Sequence, residues 1–401
     1  MLRASLKSCW VDVAFLASLA VFILGIRVTE PAVPYFDEFF YVPSARAIYL
    51  GEGATEVTHP PLGKLAMAVS IGVFGDEPLG WRLPSLLSGI LIPALVYALV
   101  RSCGGTRFVA VMAGALVVMD GLCITQARAG LLNSPSLALG LAALVCAFRR
   151  WIVVSAAFLA MSVATKYSGL AFLPLLVLVG LHIRKERPQD ATSAGELIVA
   201  ALVAGGVYVI SFYSVPRGAD VSFLSVMWKH HVAMFEHHMT AVEPHRYQSE
   251  WWTWPLSMRP IWYGFERIPN SELVRGILCI ANPMTSLVVL IGALVVTARL
   301  VAGVRLTVGE SVALGGYLLS FFPWALSPRL TMYHYYYPAL VFGVVLFALQ
   351  VDKLATRIKL MGGGVVFLAS LILFIYWYPL WTASPISSQR YESMVWFDSW
   401  R

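Results

Sequence analysis

The run Pro34-Tyr35-Phe36-Asp37-Glu38-Phe39-Phe40-Tyr41 sets two carboxylates side by side just after a hydrophobic stretch. Carboxylates beside a bilayer are costly unless they have a task or a partner. The surrounding aromatics favour the membrane interface and a carboxylate pKa tuned away from its ordinary value. The same loop continues into Thr58-His59-Pro60-Pro61-Leu62-Gly63-Lys64. An acidic pair and a Pro-stiffened histidine turn have the make-up of a catalytic site. A carboxylate there can accept a proton from a substrate, and the histidine can orient it or contact substrate.

The elements that position these residues are membrane helices. The chain has 401 residues, of which 59% are hydrophobic and 13% charged. Soluble domains carry about 25% charged residues, so this composition marks an integral membrane protein. Aromatics reach 13%, with 13 Trp, many near span ends or in one long loop. The net charge of +7 resides largely in short loops, where it sets topology and attracts anionic head groups rather than nucleic acid. The five cysteines lie in or beside hydrophobic spans without a framework spacing.

Hydrophobic stretches near 10–27, 84–101, 107–124, 131–148, 151–164, 169–183, 196–214, 283–301, 309–326, 335–351 and 362–380 predict eleven spans. The fifth and sixth are short, and one long helix through Lys166 is the alternative. Two helices keep the basic loops at Arg101/Arg107, Arg149/Arg150, Arg184 to Arg187, Arg299/Arg305 and Lys353 to Lys359 on the side of Arg3 and Lys7. The positive-inside rule therefore selects eleven spans, with the N-terminus cytoplasmic and the C-terminus outside. That topology gathers Asp37, Glu38, His59, Arg82, Asp120, Arg128, Lys166, Arg329 and His334 on the non-cytoplasmic side. The chain reads as one all-α transmembrane domain over 1–401. It has a first external catalytic loop at 28–83 and a long Trp- and His-rich external loop at 215–282. Interfacial helices are expected at 38–50, 64–74 and 222–240.

Several motifs together resemble the protein O-mannosyltransferase family. They are Phe-Asp-Glu, His-Pro-Pro-Leu-Gly-Lys, Gly80-Trp81-Arg82, Gln126-Ala127-Arg128 with Leu131-Leu132, Thr165-Lys166-Tyr167-Ser168-Gly169, Trp251 to Tyr263, Ala281-Asn282-Pro283, and Ser327-Pro328-Arg329 with Tyr333-His334-Tyr335. They occur in the family's order across nearly the whole chain. The resemblance implies a GT-C membrane glycosyltransferase of the short prokaryotic type, without the β-trefoil domain of larger members. It departs at Asn133, where the family usually carries Asp.

The resemblance implies transfer of mannose from polyprenyl-phosphate-mannose to Ser/Thr hydroxyls of proteins, with inversion, at the outer face of a prokaryotic plasma membrane. Such a reaction needs a base on the acceptor side and cations at the departing phosphate. Asp37 is the expected base; as the alternative, it caps the helix starting at 38. Glu38 is expected to act beside it, on acceptor backbone or a sugar hydroxyl, or else to favour the helix dipole. Arg82, Lys166, Arg128 and Arg329 are the phosphate candidates, against readings as snorkelling cations or as ion-pair partners. His59 is expected to orient Asp37 or touch the sugar, and His334 with Tyr335 to contact phosphate or close the site. Trp251 and Trp252 are expected at the acceptor, or in an aromatic belt.

His230 and His237 fall seven apart on one helix face, but Met234 occupies the i+4 position a zinc pair would need. No metal is therefore assigned, and the lipid-linked donor is the only cofactor-like partner. The rival readings are a transferase to a lipid or cell-wall glycan, and a transporter of polyprenyl-linked sugar. A transporter should carry inverted repeats and broken mid-membrane helices, which the sequence lacks.

Overall fold

A computed structural model describes residues 2–218, 220–240 and 244–401. The side chains of Arg3 and Lys7, used above to orient the chain, lie outside it. Each of the eleven expected segments is helical. In chain order the helices are α1 (Leu2–Gly25), α2 (Glu38–Tyr49), α3 (Leu62–Phe74), α4 (Pro78–Ser102), α5 (Arg107–Val118), α6 (Gly121–Arg128), α7 (Asn133–Phe148) and α8 (Ile152–Thr165). There follow α9 (Phe172–Glu186), α10 (Ala194–Ser211), α11 (Phe223–Thr240), α12 (Pro283–Val301), α13 (Val308–Phe321), α14 (Tyr337–Val351), α15 (Thr356–Trp381) and α16 (Ser388–Met394). Among the described residues, six helices are long and apolar enough to cross a membrane, or seven with α5 and α6 as one bent span. With outward-facing apolar side chains such as Leu368, Ile372 and Ile375 on α15, the molecule is an integral membrane protein.

Helix α14 is the axis of the bundle: every residue from Tyr337 to Val351 except Pro338 is buried. It packs on α12, α13 and α5, while α4 joins α1, α5 and α7, and α7, α8 and α10 form the far flank. Close approach rests on small residues: a Cβ at Gly292 of α12 would stand 2.9 Å from the Cα of Phe347.

The short fifth and sixth segments are two helices. Arg150, before α8, bonds Asp190, after α9, at 3.0 Å, so α8 and α9 run antiparallel and Lys166 lies at the reversal.

Two expectations need correction. The segment 107–124 is not one straight span: α5 and α6 meet at 61°. Asp120 makes the break. One carboxylate oxygen accepts the N–H groups of Leu122 and Cys123, capping α6, and the other accepts that of Asn282 at 2.8 Å. The long external loop is also not purely helical. Beyond α11 it forms an antiparallel hairpin of β1 (Ile261–Arg267) and β2 (Leu273–Cys279), with β3 (Ile386–Ser387) on the edge of β2. The β-branched and aromatic residues Ile261, Trp262, Tyr263 and Phe265 suit a strand, and Asn270 takes the left-handed backbone at the turn. The interfacial helices appear as α2, α3 and α11.

Candidate functional site

At the end of the bundle where α2 begins and α8 reverses into α9, a cavity of about 920 Å³ opens. Five stretches distant in sequence wall it: Asp37 to Tyr41, Thr55 to His59, Lys166 to Pro174, His237 with His238, and Leu319 to Pro338. Of the expected site residues, Asp37, His59, Lys166, Arg329, His334 and Tyr335 all line it.

Asp37 occupies the N-cap position just before α2, yet its carboxylate makes no bond to the helix N–H groups. The capping alternative is thereby set aside, and the half-buried carboxylate faces the cavity. Phe36 immediately before it takes a positive φ of 52°, a conformation bulky residues seldom adopt. Its ring is stacked on Tyr263 with centroids 3.9 Å apart. Burial pushes the Asp37 carboxyl up to about 6, against the pull of Lys166, of Arg329 and of the Tyr41 hydroxyl, while Glu56 adds to the rise.

Lys166 donates to Asn133 Oδ1 at 2.6 Å and stands 5.6 Å from the Tyr335 ring. Burial pushes its ammonium down to about 8, although Asp37 supports its charge. Arg329 donates to the Tyr335 hydroxyl and meets Nδ1 of His238. Burial and the neighbouring Arg329 hold His238 down at about 4, and burial with Lys166 keeps His59 well below its ordinary range. Both imidazoles are thus neutral, and the cavity's fixed positive charges are Lys166 and Arg329. Three buried nitrogens on its wall lack any hydrogen-bond partner among the described residues: Nδ1 of His59, Nδ1 of His334 and Nε of Arg329. Buried polar atoms are rarely left so, and three around one cavity mark a place where a polar ligand belongs.

The loop carrying His59 is held from behind. Lys64, fully buried, pairs with the Glu56 carboxylate and donates to the carbonyls of Glu56 and His59 at 2.6 and 3.0 Å. The lysine of the His-Pro-Pro-Leu-Gly-Lys run is therefore a clasp for the loop. Glu56 itself was not singled out from sequence, since nothing in its local pattern distinguishes it.

Five expected residues lie elsewhere. Glu38 is fully buried and accepts from Arg82 and from the N–H groups of Tyr35 and Gly130. Its expected place beside the acceptor is corrected, because it has no face on the cavity. Arg82, also fully buried, makes four bonds, two to Glu38 and one each to the carbonyls of Val28 and Val33. Arg128 donates to the carbonyls of Leu24, Ile26 and Arg27 at the end of α1. The expectation of both arginines at a phosphate is corrected for the same reason: neither lines the cavity, and their guanidinium groups are turned to Glu38 and to backbone carbonyls. Trp251 packs on Phe321 and Phe322 and lines a second cleft, which shares Trp324, Ser327 and Arg329 with the first cavity. Trp252 is 58% exposed and lines neither.

Comparison with known proteins adds three findings. Residues 77–216 match the model of dolichyl-phosphate-mannose-protein mannosyltransferase, and residues 223–400 that of the C-terminal four-transmembrane region of protein O-mannosyltransferase. The polyprenol-phosphate-mannose–protein mannosyltransferase of Mycolicibacterium smegmatis is 26% identical, over 98% of this chain and 93% of its own. Among solved structures, the S. cerevisiae Pmt1-Pmt2 complex bound to the sugar donor superposes with a TM-score of 0.83 at 14% identity, over 98% of this chain and 93% of that one. ArnT from Cupriavidus metallidurans bound to undecaprenyl phosphate gives 0.61 at 17% identity, over 88% and 63%. At these identities the structural matches establish a shared fold.

Proposed function

We propose, since the chain belongs to the protein O-mannosyltransferase family, that it transfers mannose from polyprenyl-phosphate-mannose to Ser/Thr hydroxyls of proteins, with Asp37 as the base. The observation that carries this reading is the shared cavity: an uncapped carboxylate faces the same space as two cations, Lys166 and Arg329. Mannose and the protein acceptor come from the relatives' names; the residues themselves speak for sugar, phosphate and hydroxyl.

The charges balance through the reaction. Asp37 takes the proton of the acceptor hydroxyl as its oxygen bonds the anomeric carbon. The bond from that carbon to the phosphate oxygen breaks, and a singly charged phosphodiester becomes a doubly charged phosphate. One negative charge leaves Asp37 as one appears on the phosphate, where Lys166 and Arg329 meet it. Cations aimed at charge that develops in the transition state stabilise it more than the ground state. The orphaned nitrogens of His59 and His334 are suited to sugar hydroxyls. The first external loop and the long external loop bring these groups to the outer face of a prokaryotic plasma membrane. The organisms of the bacterial relatives and the basic loops at the opposite helix ends support that placement.

The test uses purified full-length protein in detergent, radiolabelled polyprenyl-phosphate-mannose and a Ser/Thr-rich peptide. Label on the peptide from wild type and none from Asp37→Asn is the expected result. Donor consumed without labelled peptide would redirect the reading to a lipid or glycan acceptor, and full activity of Asp37→Asn would remove the base.

A further inference from the structure

One residue outside the cavity is linked to both of its chemical halves, to Asp37 through Phe36 and to Lys166 through Gln126 and Asn133. In the hairpin, Trp262 pairs with Leu278 and Gly264 with Ile277, so the residue between them, Tyr263, has no cross-strand partner. Such a bulge re-aims a side chain and is used beside functional sites. Here it sends the tyrosine into the protein, where it is buried.

Its ring and its hydroxyl then do different things. The ring stacks on Phe36, interplanar angle 15°, next to Asp37. The hydroxyl accepts from Gln126 Nε2; Gln126 Oε1 accepts from Asn133 Nδ2 at 2.7 Å; Asn133 Oδ1 accepts from Lys166 at 2.6 Å. An ammonium can only donate. That forces Asn133 to turn its oxygen to Lys166 and its amide nitrogen to Gln126, and Gln126 in turn to offer its amide nitrogen to Tyr263. Every member of the relay is neutral except the lysine, which keeps its whole charge.

We propose that Tyr263 is a positioning residue for both halves of the site: through Phe36 it fixes Asp37, and through Gln126 and Asn133 it fixes Lys166. The proposal rests on the mannosyl-transfer reading above. It assigns the hydroxyl to donor phosphate affinity and the ring to the carboxylate's setting. The two functions of one side chain are therefore separable by substitution.

The test compares Tyr263→Phe and Tyr263→Leu in the full chain, with folding followed by elution and melting. Readouts are kcat, donor KM, the pH profile, and equilibrium binding of polyprenyl phosphate. Tyr263→Phe keeps the ring, so donor KM and polyprenyl-phosphate Kd should rise about 3- to 10-fold, the worth of one hydrogen bond, with the acid limb of the pH profile in place. Tyr263→Leu should in addition lower kcat and shift that limb. Combining Tyr263→Phe with Asn133→Ala should be no worse than Asn133→Ala alone. If Tyr263→Leu does not fold, Phe36→Leu removes the same stack from its other side and must move the same limb. Wild-type donor KM and binding in Tyr263→Phe would overturn the proposal, as would full additivity with Asn133→Ala. Absence of mannose transfer by wild type would sink the function reading instead, while polyprenyl-phosphate binding by Tyr263→Phe would still decide the relay.

Discussion

Arg82 and Glu38 meet as a two-pronged ion pair, Nε to Oε1 at 2.8 Å and Nη2 to Oε2 at 3.0 Å, with neither side chain exposed. One position earlier in the chain, the Asp37 carboxylate looks into an open cavity. Two adjacent acids that read alike in sequence are thus divided by the first turn of α2 into a fastening and a carboxylate that faces the cavity.

Removing the fastening should cost stability before it costs chemistry. Glu38→Ala leaves the Arg82 guanidinium buried and unpaired, a change worth about 3–5 kcal/mol. A lower melting temperature is expected, with activity falling in step with the folded fraction. Glu38→Leu combined with Arg82→Met should melt higher than Glu38→Ala. A Glu38→Ala protein of wild-type stability but no activity would instead return Glu38 to the reaction.

Asp37→Asn should behave in the opposite way. Its carboxylate caps nothing, so melting should stay close to wild type. Loss of a general base should lower kcat by about 10²- to 10⁴-fold. Thermal melting and single-turnover transfer on the same preparation separate the two effects.

The pH dependence follows from two neighbours. Asp37 must be ionised to accept a proton, so activity should rise as pH passes about 6, its raised pKa. Lys166 must be protonated to meet the phosphate, so activity should decline as pH passes about 8, its lowered pKa. A bell-shaped kcat/KM profile with those limbs is expected. A flat profile across this range would leave neither group its role.

Asn133→Asp tests the lysine's charge directly. A carboxylate at this position bonds Lys166 as an ion pair and favours its protonated form. The alkaline limb should therefore move upward. The same pair neutralises one of the two cations that face the phosphate, so donor KM should rise, by about 10-fold if about 1.4 kcal/mol of attraction is lost. Donor titrations at two pH values check both.

How much of this was legible beforehand varies with the kind of signal. Helix positions were, because apolar length and basic loops report on a bilayer directly; the reversal at Lys166 followed from charge alone. Asp37, Lys166 and Arg329 were singled out from residue type, place in the chain and the family resemblance, and the structure brings all three to one cavity. Their separation from Glu38, Arg82 and Arg128 was not legible. An arginine at a span end looks the same whether it faces a ligand or three carbonyls, and only packing tells which. Tyr263 was hidden differently. It sits in a quoted motif, but its direction depends on a bulge created by pairing with β2, and that register is a property of two strands together.

Arg128 has a consequence for how the protein is made. The three carbonyls it serves close α1 and stand 101 to 104 residues upstream. Carbonyls at a helix end need a donor, all the more where water is scarce. During synthesis their partner emerges only with α6, after α2 to α5 have left the ribosome. The loop bearing Asp37 is tied down by the same late arrival, since Gly130 donates to Glu38. That loop is thus translated early and completed in stages, its Arg82 fastening arriving with α4 and the Gly130 bond only after α6.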